Sequence, residues 1–187
     1  SADYFAFQCD KNAVRSALLE EASLFTDRRP RKVRLLLDSD GTARIASEPI
    51  VDLSSRGTAR VCIAAERTDP NDQFLFHKTT NRKLYNSTLA AASSAGFADV
   101  LFLNMLGELT EGAISNVLIE KSGRWYTPPV SCGVLPGVYR RHLLETRVDL
   151  EEKILTLEDV RSAGAVYICN AVRGLRRVDV SLNCAPE

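Results

Sequence analysis

The chain has 187 residues, of which 45% are hydrophobic and 26% are charged, and its 24 Lys and Arg residues are balanced by 24 Asp and Glu residues. These proportions are typical of one large or two small globular domains and exclude a disordered chain. Because the formal net charge is zero and the arginines are scattered, the chain lacks the basic patches that nucleic acids attract, and we expect no nucleic-acid partner.

Neither the apolar segments nor the cysteines indicate export or a metal site. No apolar run approaches the roughly 20 residues that span a bilayer, and the first residues do not follow the pattern of a signal peptide. The five cysteines are far apart and show no metal-ligand spacing with histidine. We therefore expect a soluble cytoplasmic protein with reduced thiols, no membrane contact and no bound metal.

The N-terminal residues predict one helix and three strands. Asp10 is placed to cap a helix, and an Asp-Ser-Asp-Gly turn within residues 33–45 predicts a hairpin. We expect residues 59–63 to add a third strand to the sheet of that hairpin. The polar segment 66–73 contains a proline and is the best candidate for a connection between two domains.

The rest of the chain predicts strands and helices in alternation. The predicted strands are 74–80, 100–103, 117–119, 125–127, 150–155 and 165–169. The predicted helices are 81–95, 138–145 and 156–162, the last with a capping box formed by Thr156 and Asp159.

Lys78 is the lysine whose position is hardest to explain as a solvated surface charge. The other lysines lie in predicted turns, on helix surfaces or on polar strand faces, whereas Lys78 follows the apolar segment 74–77. Its amine would lie in a partly dry site, where burial favours the neutral form that attacks an aldehyde. A lysine that reaches solvent from the end of a strand fits the same pattern.

Glu111 is the single carboxylate in a segment of small residues, 109–116, directly before an apolar strand. Such a segment allows a flat ligand to approach closely, and Ser115 and Asn116 are available to fix its position. An ordinary polar turn explains the segment equally well.

Two further segments offer backbone amides to an anion. Pro136 and Gly137 start a predicted helix, which leaves amide N–H groups unpaired at the positive end of the helix dipole and suits a phosphate. The strand 165–169 ends in Asn170 and Ala171, and ligands often bind at such strand ends. Each segment also fits an ordinary helix start or turn.

Taken together and in this order, the four segments resemble the class IV pyridoxal-phosphate enzymes, which include branched-chain and D-amino-acid aminotransferases and aminodeoxychorismate lyase. The resemblance covers residues 74–180 and implies a mixed α/β (α+β) fold of type IV, with two domains and pyridoxal 5'-phosphate as cofactor. It implies that Lys78 binds the cofactor covalently and acts as the catalytic base, and that Glu111 pairs with the pyridine nitrogen. The remaining cofactor-binding residues that it implies are Asn116, Gly137, Val138, Tyr139, Asn170 and Ala171.

Within that class, the sequence is most similar to the aminodeoxychorismate lyases, including the form fused behind the chorismate-aminating synthase component. Arg82, four residues after the lysine, and the segment 168–175 carry this narrower resemblance, which gives no role to Tyr85. It implies that 4-amino-4-deoxychorismate loses pyruvate to give 4-aminobenzoate, a folate precursor. Arg82 and Arg173 are candidates to bind the substrate carboxylates, and surface arginines are the alternative. Aminotransfer uses the same base, so the motifs leave a branched-chain or D-amino-acid aminotransferase open.

The resemblance also implies N-terminal strands that this sequence does not contain, and those strands supply an arginine to the cofactor phosphate. We therefore expect residues 1–73 to be the remnant of an N-terminal domain and residues 74–187 to be the cofactor-binding domain, as in a fragment of a longer enzyme. An inactive truncated domain is a further interpretation. Class IV enzymes are usually homodimers, and we expect a homodimer here.

Overall fold

The computed structural model describes residues 1–50 and 57–184 of the chain. The chain divides into two units. The first unit is Ser1–Ser55 and the second is Arg56–Glu187. This division falls earlier in the chain than the domain boundary predicted after Gln73, because the strand that follows it belongs to the sheet of the second unit. That the chain carries a remnant of a larger N-terminal domain stays a prediction.

The first unit consists of the predicted helix and hairpin. Helix α1 spans Lys11–Ser23, and the carboxylate of Asp10 caps it by accepting hydrogen bonds from two backbone amides of its first turn. Strands β1 (Arg31–Leu37) and β2 (Ala43–Pro49) pair antiparallel as a two-stranded sheet. The predicted helix and the predicted hairpin are therefore confirmed. Both could be predicted because they depend on local signals, namely a helix cap and a turn.

An eight-stranded mixed sheet forms the frame of the second unit. Its strands are β3 (Ala59–Thr68), β4 (Asp99–Asn104), β5 (Leu109–Gly112), β6 (Asn116–Lys121), β7 (Arg124–Thr127), β8 (Leu150–Glu152), β9 (Ala165–Asn170) and β10 (Gly174–Ser181). They lie in the order β5-β4-β3-β10-β9-β6-β7-β8. Because β5 also pairs with β6, the first six strands of this order close into a ring.

Strand β3 is not part of the N-terminal hairpin, so that prediction is wrong. It pairs in parallel with both β4 and β10 in the middle of the large sheet. Val61 and Ile63 join an apolar cluster to which all six strands of the ring contribute, whereas Cys62 faces a second cluster. A strand buried on both faces needs neighbours on both sides, which the short hairpin does not provide.

Helices α2 (Lys83–Ser94), α3 (Val138–Thr146) and α4 (Leu157–Arg161) complete the second unit, and α4 begins with the predicted capping box. The predicted strand 74–80 is wrong, because Gln73–Phe76 forms a 3-10 helix. Asp72 caps this turn by accepting a hydrogen bond of 2.9 Å from the Phe74 amide. A local polar contact therefore overrides the β-propensity of the apolar residues that follow.

Two of the five cysteines form a disulfide between Cys62 and Cys184, so the prediction of reduced thiols is wrong for this pair. Cys62 lies in β3, and its register partner in β10 is Ser181, three residues before Cys184. The pairing of β3 with β10 thus brings together two cysteines separated by 122 residues. Cys9, Cys132 and Cys169 carry free thiols.

Within residues 1–50 and 57–184, no helix is both long enough and apolar enough to cross a membrane. The same residues contain no group of three or more His, Cys, Asp or Glu side chains that could hold a metal ion.

Candidate active site

The carboxyl group of Glu111 is buried in β5 among three hydrogen-bond donors. Its Oε1 accepts a hydrogen bond of 3.2 Å from the Tyr85 hydroxyl. Its Oε2 accepts one of 3.2 Å from the Asn116 side chain and one of 3.1 Å from the Leu135 amide. Burial raises the pKa of Glu111 to about 8, although the Leu135 amide and the Arg82 charge act to lower it. A dry carboxyl group in this setting favours a cationic ligand.

Asn116 connects Glu111 to the start of α3. Its side-chain amide donates a second hydrogen bond, of 2.9 Å, to the carbonyl of Leu135. A Cβ atom on Gly137 would lie 2.0 Å from Oδ1 of Asn116, so this close approach requires glycine. Gly137 precedes Val138, the first residue of α3, and within the described part of the chain no side chain caps this helix. Its first amides, including those of Val138 and Tyr139, lack acceptors within the helix.

The second predicted phosphate-binding segment forms the turn between β9 and β10. Oδ1 of Asn170 accepts hydrogen bonds from the amides of Val172 at 3.0 Å and Arg173 at 2.8 Å, while its side-chain amide donates to the carbonyl of Ile114 at 3.2 Å. The Asn170 side chain therefore shapes the turn, and Ala171 lies within it.

The two predicted phosphate-binding segments lie next to each other. A Cβ atom on Gly174, the first residue of β10, would lie 3.4 Å from the hydroxyl of Tyr139 in α3. Gly174 has a φ of +66°, which also favours glycine at the end of this turn. The structure thus brings Tyr139 together with the turn that contains Asn170.

Lys78 lies between the 3-10 helix and α2, and its side chain is exposed instead of partly dry as the sequence predicts. The difference follows from the local structure, since Lys78 does not stand at the end of a buried strand. Its charge is nevertheless close enough to lower the pKa of Glu111. The structure therefore brings the predicted lysine within electrostatic reach of the predicted carboxylate.

Arg82 contacts protein groups at the start of α2. Its guanidinium donates a hydrogen bond to the carbonyl of Ala113 and stacks on the ring of Tyr85, 4.9 Å from the ring centroid. Arg173 lies near Arg176, whose pKa is lowered by burial and by the Arg173 charge. Substrate binding by Arg82 and Arg173 stays a prediction.

Sequence reasoning missed the Tyr85 hydroxyl and the Leu135 amide, which both donate to Glu111. One signal was available for Tyr85, because it follows Arg82 by three residues and so lies on the same face of a helix. No local pattern identifies Leu135, because it donates through its backbone.

The chain matches the family model described as amino-transferase class IV over residues 1–180. A Schizosaccharomyces pombe protein provisionally named an aminodeoxychorismate lyase is 28% identical over 148 residues, which are 76% of this chain and 63% of that protein. Branched-chain-amino-acid aminotransferase 6 of Arabidopsis thaliana is 34% identical over 94 residues, which are 47% of this chain and 26% of that protein. The chain spans less than two thirds of the length of either relative.

Among solved structures, a protein from Mesorhizobium loti provisionally named an amino-acid aminotransferase is similar over nearly the whole chain. The TM-score is 0.86 at 32% identity, and the match covers 96% of this chain and 86% of that one. The similar proteins are thus named after two different activities, that of a lyase and that of an aminotransferase.

Proposed function

This chain belongs to the aminotransferase class IV family, whose members depend on pyridoxal phosphate, and we propose that it is an aminodeoxychorismate lyase. The observation that carries the proposal is the buried Glu111 carboxyl group, held by three donors and within reach of the Lys78 charge. The choice of lyase rests on Arg82 at its position after Lys78 and on the similarity to the S. pombe protein.

The described residues fit pyridoxal phosphate at both ends of the cofactor. Glu111 accepts hydrogen bonds from a hydroxyl, a side-chain amide and a backbone amide, all of which are neutral, so its buried carboxyl group is suited to a protonated pyridine nitrogen. At the other end, Gly137 has no side chain that could cap α3, and the amides of Val138 and Tyr139 suit a phosphate. Asn170 and Ala171 would provide the second phosphate-binding segment, and Lys78 would bind the aldehyde.

A single network of hydrogen bonds connects the two ends of the proposed site. Asn116 donates both to Glu111 and to the Leu135 carbonyl, and the Leu135 amide donates to Glu111. A shift at the start of α3 therefore moves the partners of the carboxylate. This connection holds the anion-binding amides at a fixed place relative to Glu111.

Bound pyridoxal phosphate supplies an electron sink for the electron pair that remains when a C–H bond of the substrate breaks. Glu111 as a carboxylate would keep the ring nitrogen protonated, and Lys78 would remove the C4 proton of aminodeoxychorismate as the general base. The C–O bond at C3 would then break and release the enolate of pyruvate, which takes up one proton at its methylene carbon to become pyruvate. The ring becomes aromatic as 4-aminobenzoate, so the proton lost from C4 is balanced by the proton gained by pyruvate.

Pyruvate release from aminodeoxychorismate tests the lyase assignment. The wild-type chain with pyridoxal phosphate should release pyruvate and 4-aminobenzoate in equal amounts without a keto-acid acceptor. Lys78→Ala should abolish this release. Lys83→Ala is the matched control, since Lys83 is an exposed lysine five residues later in α2, and it should leave the rate unchanged.

Aminotransfer is the second candidate function, and the similarity to the M. loti protein and to the A. thaliana aminotransferase favours it. In that case the chain should transfer amino groups between branched-chain or D-amino acids and keto acids and release no pyruvate from aminodeoxychorismate. This result would overturn the lyase assignment and leave the cofactor site intact.

We further propose a homodimer, since members of the family are commonly dimeric. A chorismate-aminating synthase component, fused or separate, would supply the substrate. Light scattering after size-exclusion chromatography should give twice the 20.6 kDa mass of the chain, and a monomeric mass at micromolar concentration would overturn the dimer.

A further inference from the structure

A turn of three residues between β5 and β6 contacts two sides of the proposed cofactor site. We call residues 113–115 the β5–β6 turn. Its Ala113 carbonyl accepts a hydrogen bond from Arg82, and its Ile114 carbonyl accepts one from Asn170. Glu111 and Asn116 lie in the strands that the turn connects. The position of this turn therefore affects residues from three separate parts of the site.

Asp99, the first residue of β4, holds the β5–β6 turn from the inside. Its Oδ1 accepts a hydrogen bond of 3.3 Å from the amide of Ile114, and its Oδ2 accepts one from the hydroxyl of Ser115. Asp99 is 0% exposed and Ser115 is 6% exposed, so both groups are shielded from water. The packing is tight, because a Cβ atom on Gly112 would lie 2.5 Å from Oδ2 of Asp99.

A buried aspartate is a costly choice for the first residue of β4. Burial raises the pKa of Asp99 to about 6, although hydrogen bonds from Ser115 and from the Val100 amide lower it. The residues that follow it, Val100 and Leu101, are apolar and fully buried. An apolar residue at position 99 would leave the Ser115 hydroxyl and the Ile114 amide without their acceptor, and leaving buried donors unpaired is destabilising. The Asp99 carboxylate therefore ties the β5–β6 turn to the start of β4.

We propose that Asp99 is a positioning residue for cofactor binding, which acts through Ser115 and the β5–β6 turn on Glu111, Arg82 and Asn170. This inference rests on the proposed function, because the ligand whose binding it affects is pyridoxal phosphate. Asp99 is separated from the ligand-facing groups by the turn, so its effect is on their placement and not on the reacting atoms.

The dissociation constant of pyridoxal phosphate tests this role independently of activity. It is measured by equilibrium dialysis of the full chain, alongside the melting temperature without cofactor. Asp99→Leu should weaken binding about tenfold or more, the effect of losing hydrogen bonds to a charged group. It should also lower the melting temperature, so the dialysis is done well below the melting temperature of each variant. Asp99→Asn keeps an acceptor for the Ile114 amide and should stay within about threefold of wild type.

Ser115→Ala removes one partner without changing the charged residue, and it keeps the inference testable if Asp99→Leu does not fold. It should also weaken binding about tenfold. Thr127→Val is the matched control, since Thr127 is fully buried in β7 and donates a hydrogen bond of 2.8 Å to the Val117 carbonyl. This variant should lower the melting temperature and leave the dissociation constant unchanged.

The possible results separate the inference from the proposed function. If the wild-type chain binds pyridoxal phosphate and the dissociation constant is the same for Asp99→Leu or Ser115→Ala, the positioning role alone is overturned. Failure of the wild-type chain to bind pyridoxal phosphate would overturn the proposed function, and the positioning role with it.

Discussion

The hydroxyl of Tyr85 in α2 donates a hydrogen bond of 3.2 Å to Oε1 of Glu111 in β5, although the two residues are 26 positions apart. Burial and the neighbouring Glu111 carboxylate raise the pKa of Tyr85, so its hydroxyl remains protonated and acts as the donor. The Arg82 guanidinium stacks on the same ring. Helix α2, which begins shortly after Lys78, therefore also helps to hold the Glu111 carboxyl group in place through Tyr85.

We expect Tyr85→Phe to weaken pyridoxal phosphate binding about fivefold or more at pH 7. In the bound chain Glu111 would be the carboxylate that pairs with the ring nitrogen, and the variant removes a hydrogen bond to this charged form while the ring packing remains. Since that hydrogen bond lowers the pKa of Glu111, its loss should also raise this pKa and shift the pH dependence of binding upward. A binding titration at several pH values measures both effects. Tyr126→Phe in β7 is the control, and equal behaviour of the two variants would contradict the role of Tyr85.

The stability of the chain without cofactor should fall as the pH rises toward 8. Glu111 has a pKa of about 8 in the folded chain against an ordinary value of 4.5, so the folded state holds a proton that the unfolded chain releases between these values. Asp99, with a pKa of about 6, adds to the same trend at lower pH. Urea unfolding between about pH 6.5 and 8 isolates the Glu111 contribution.

Glu111→Gln should flatten this pH dependence and make the cofactor-free chain more stable than wild type at pH 8. The same variant should bind pyridoxal phosphate more weakly, because a neutral amide does not favour a protonated ring nitrogen. Parallel stability curves for the wild type and the variant would show that Glu111 does not bind the additional proton.

Gly137→Ala should destabilise the chain by about 1–3 kcal/mol, since the new Cβ atom would lie 2.0 Å from Oδ1 of Asn116. It should also weaken cofactor binding by displacing Asn116 from Glu111. In an Asn116→Ala background the same change should cost much less, because the clashing atom is absent. A thermal unfolding cycle of the four proteins measures this coupling, and simple additivity would contradict the contact.

The disulfide predicts the number of reactive thiols. Alkylation of the unfolded, unreduced chain should modify three cysteines, and alkylation after reduction should modify all five. Reduction should also lower stability by about 2–5 kcal/mol, because the disulfide closes a long loop. Cys9→Ser, which changes an exposed thiol, should leave the stability and the effect of reduction unchanged. Five alkylated cysteines before reduction would contradict the Cys62–Cys184 bond.

Elements with local signals could be predicted from the sequence. The capping box of Thr156, the cap of α1 by Asp10 and the start of α3 after Gly137 each depend on residues within one turn of a helix. The predicted strands 117–119 and 125–127, which are close in sequence, likewise correspond to β6 and β7 and pair with each other. These features were found at their predicted places because short-range hydrogen bonding decides them.

Features that depend on long-range pairing could not be predicted in the same way. The assignment of β3 to the wrong sheet and the unexpected Cys62–Cys184 disulfide share one cause, since both depend on pairing with β10. In the site, the motif identified Glu111, but its contacts with Tyr85 and Leu135 depend on how α2 and the segment before α3 pack against the sheet.

The most direct test of the central claim is to trap pyridoxal phosphate on Lys78. The wild-type chain is incubated with the cofactor, followed by visible absorption, reduced with borohydride and mapped by peptide mass spectrometry. The account predicts a bound-cofactor absorption band and a reduced cofactor adduct on the peptide containing Lys78, with neither in Lys78→Ala. A wild-type chain that shows no adduct on Lys78, or an adduct spread over several exposed lysines and unchanged in Lys78→Ala, would contradict it.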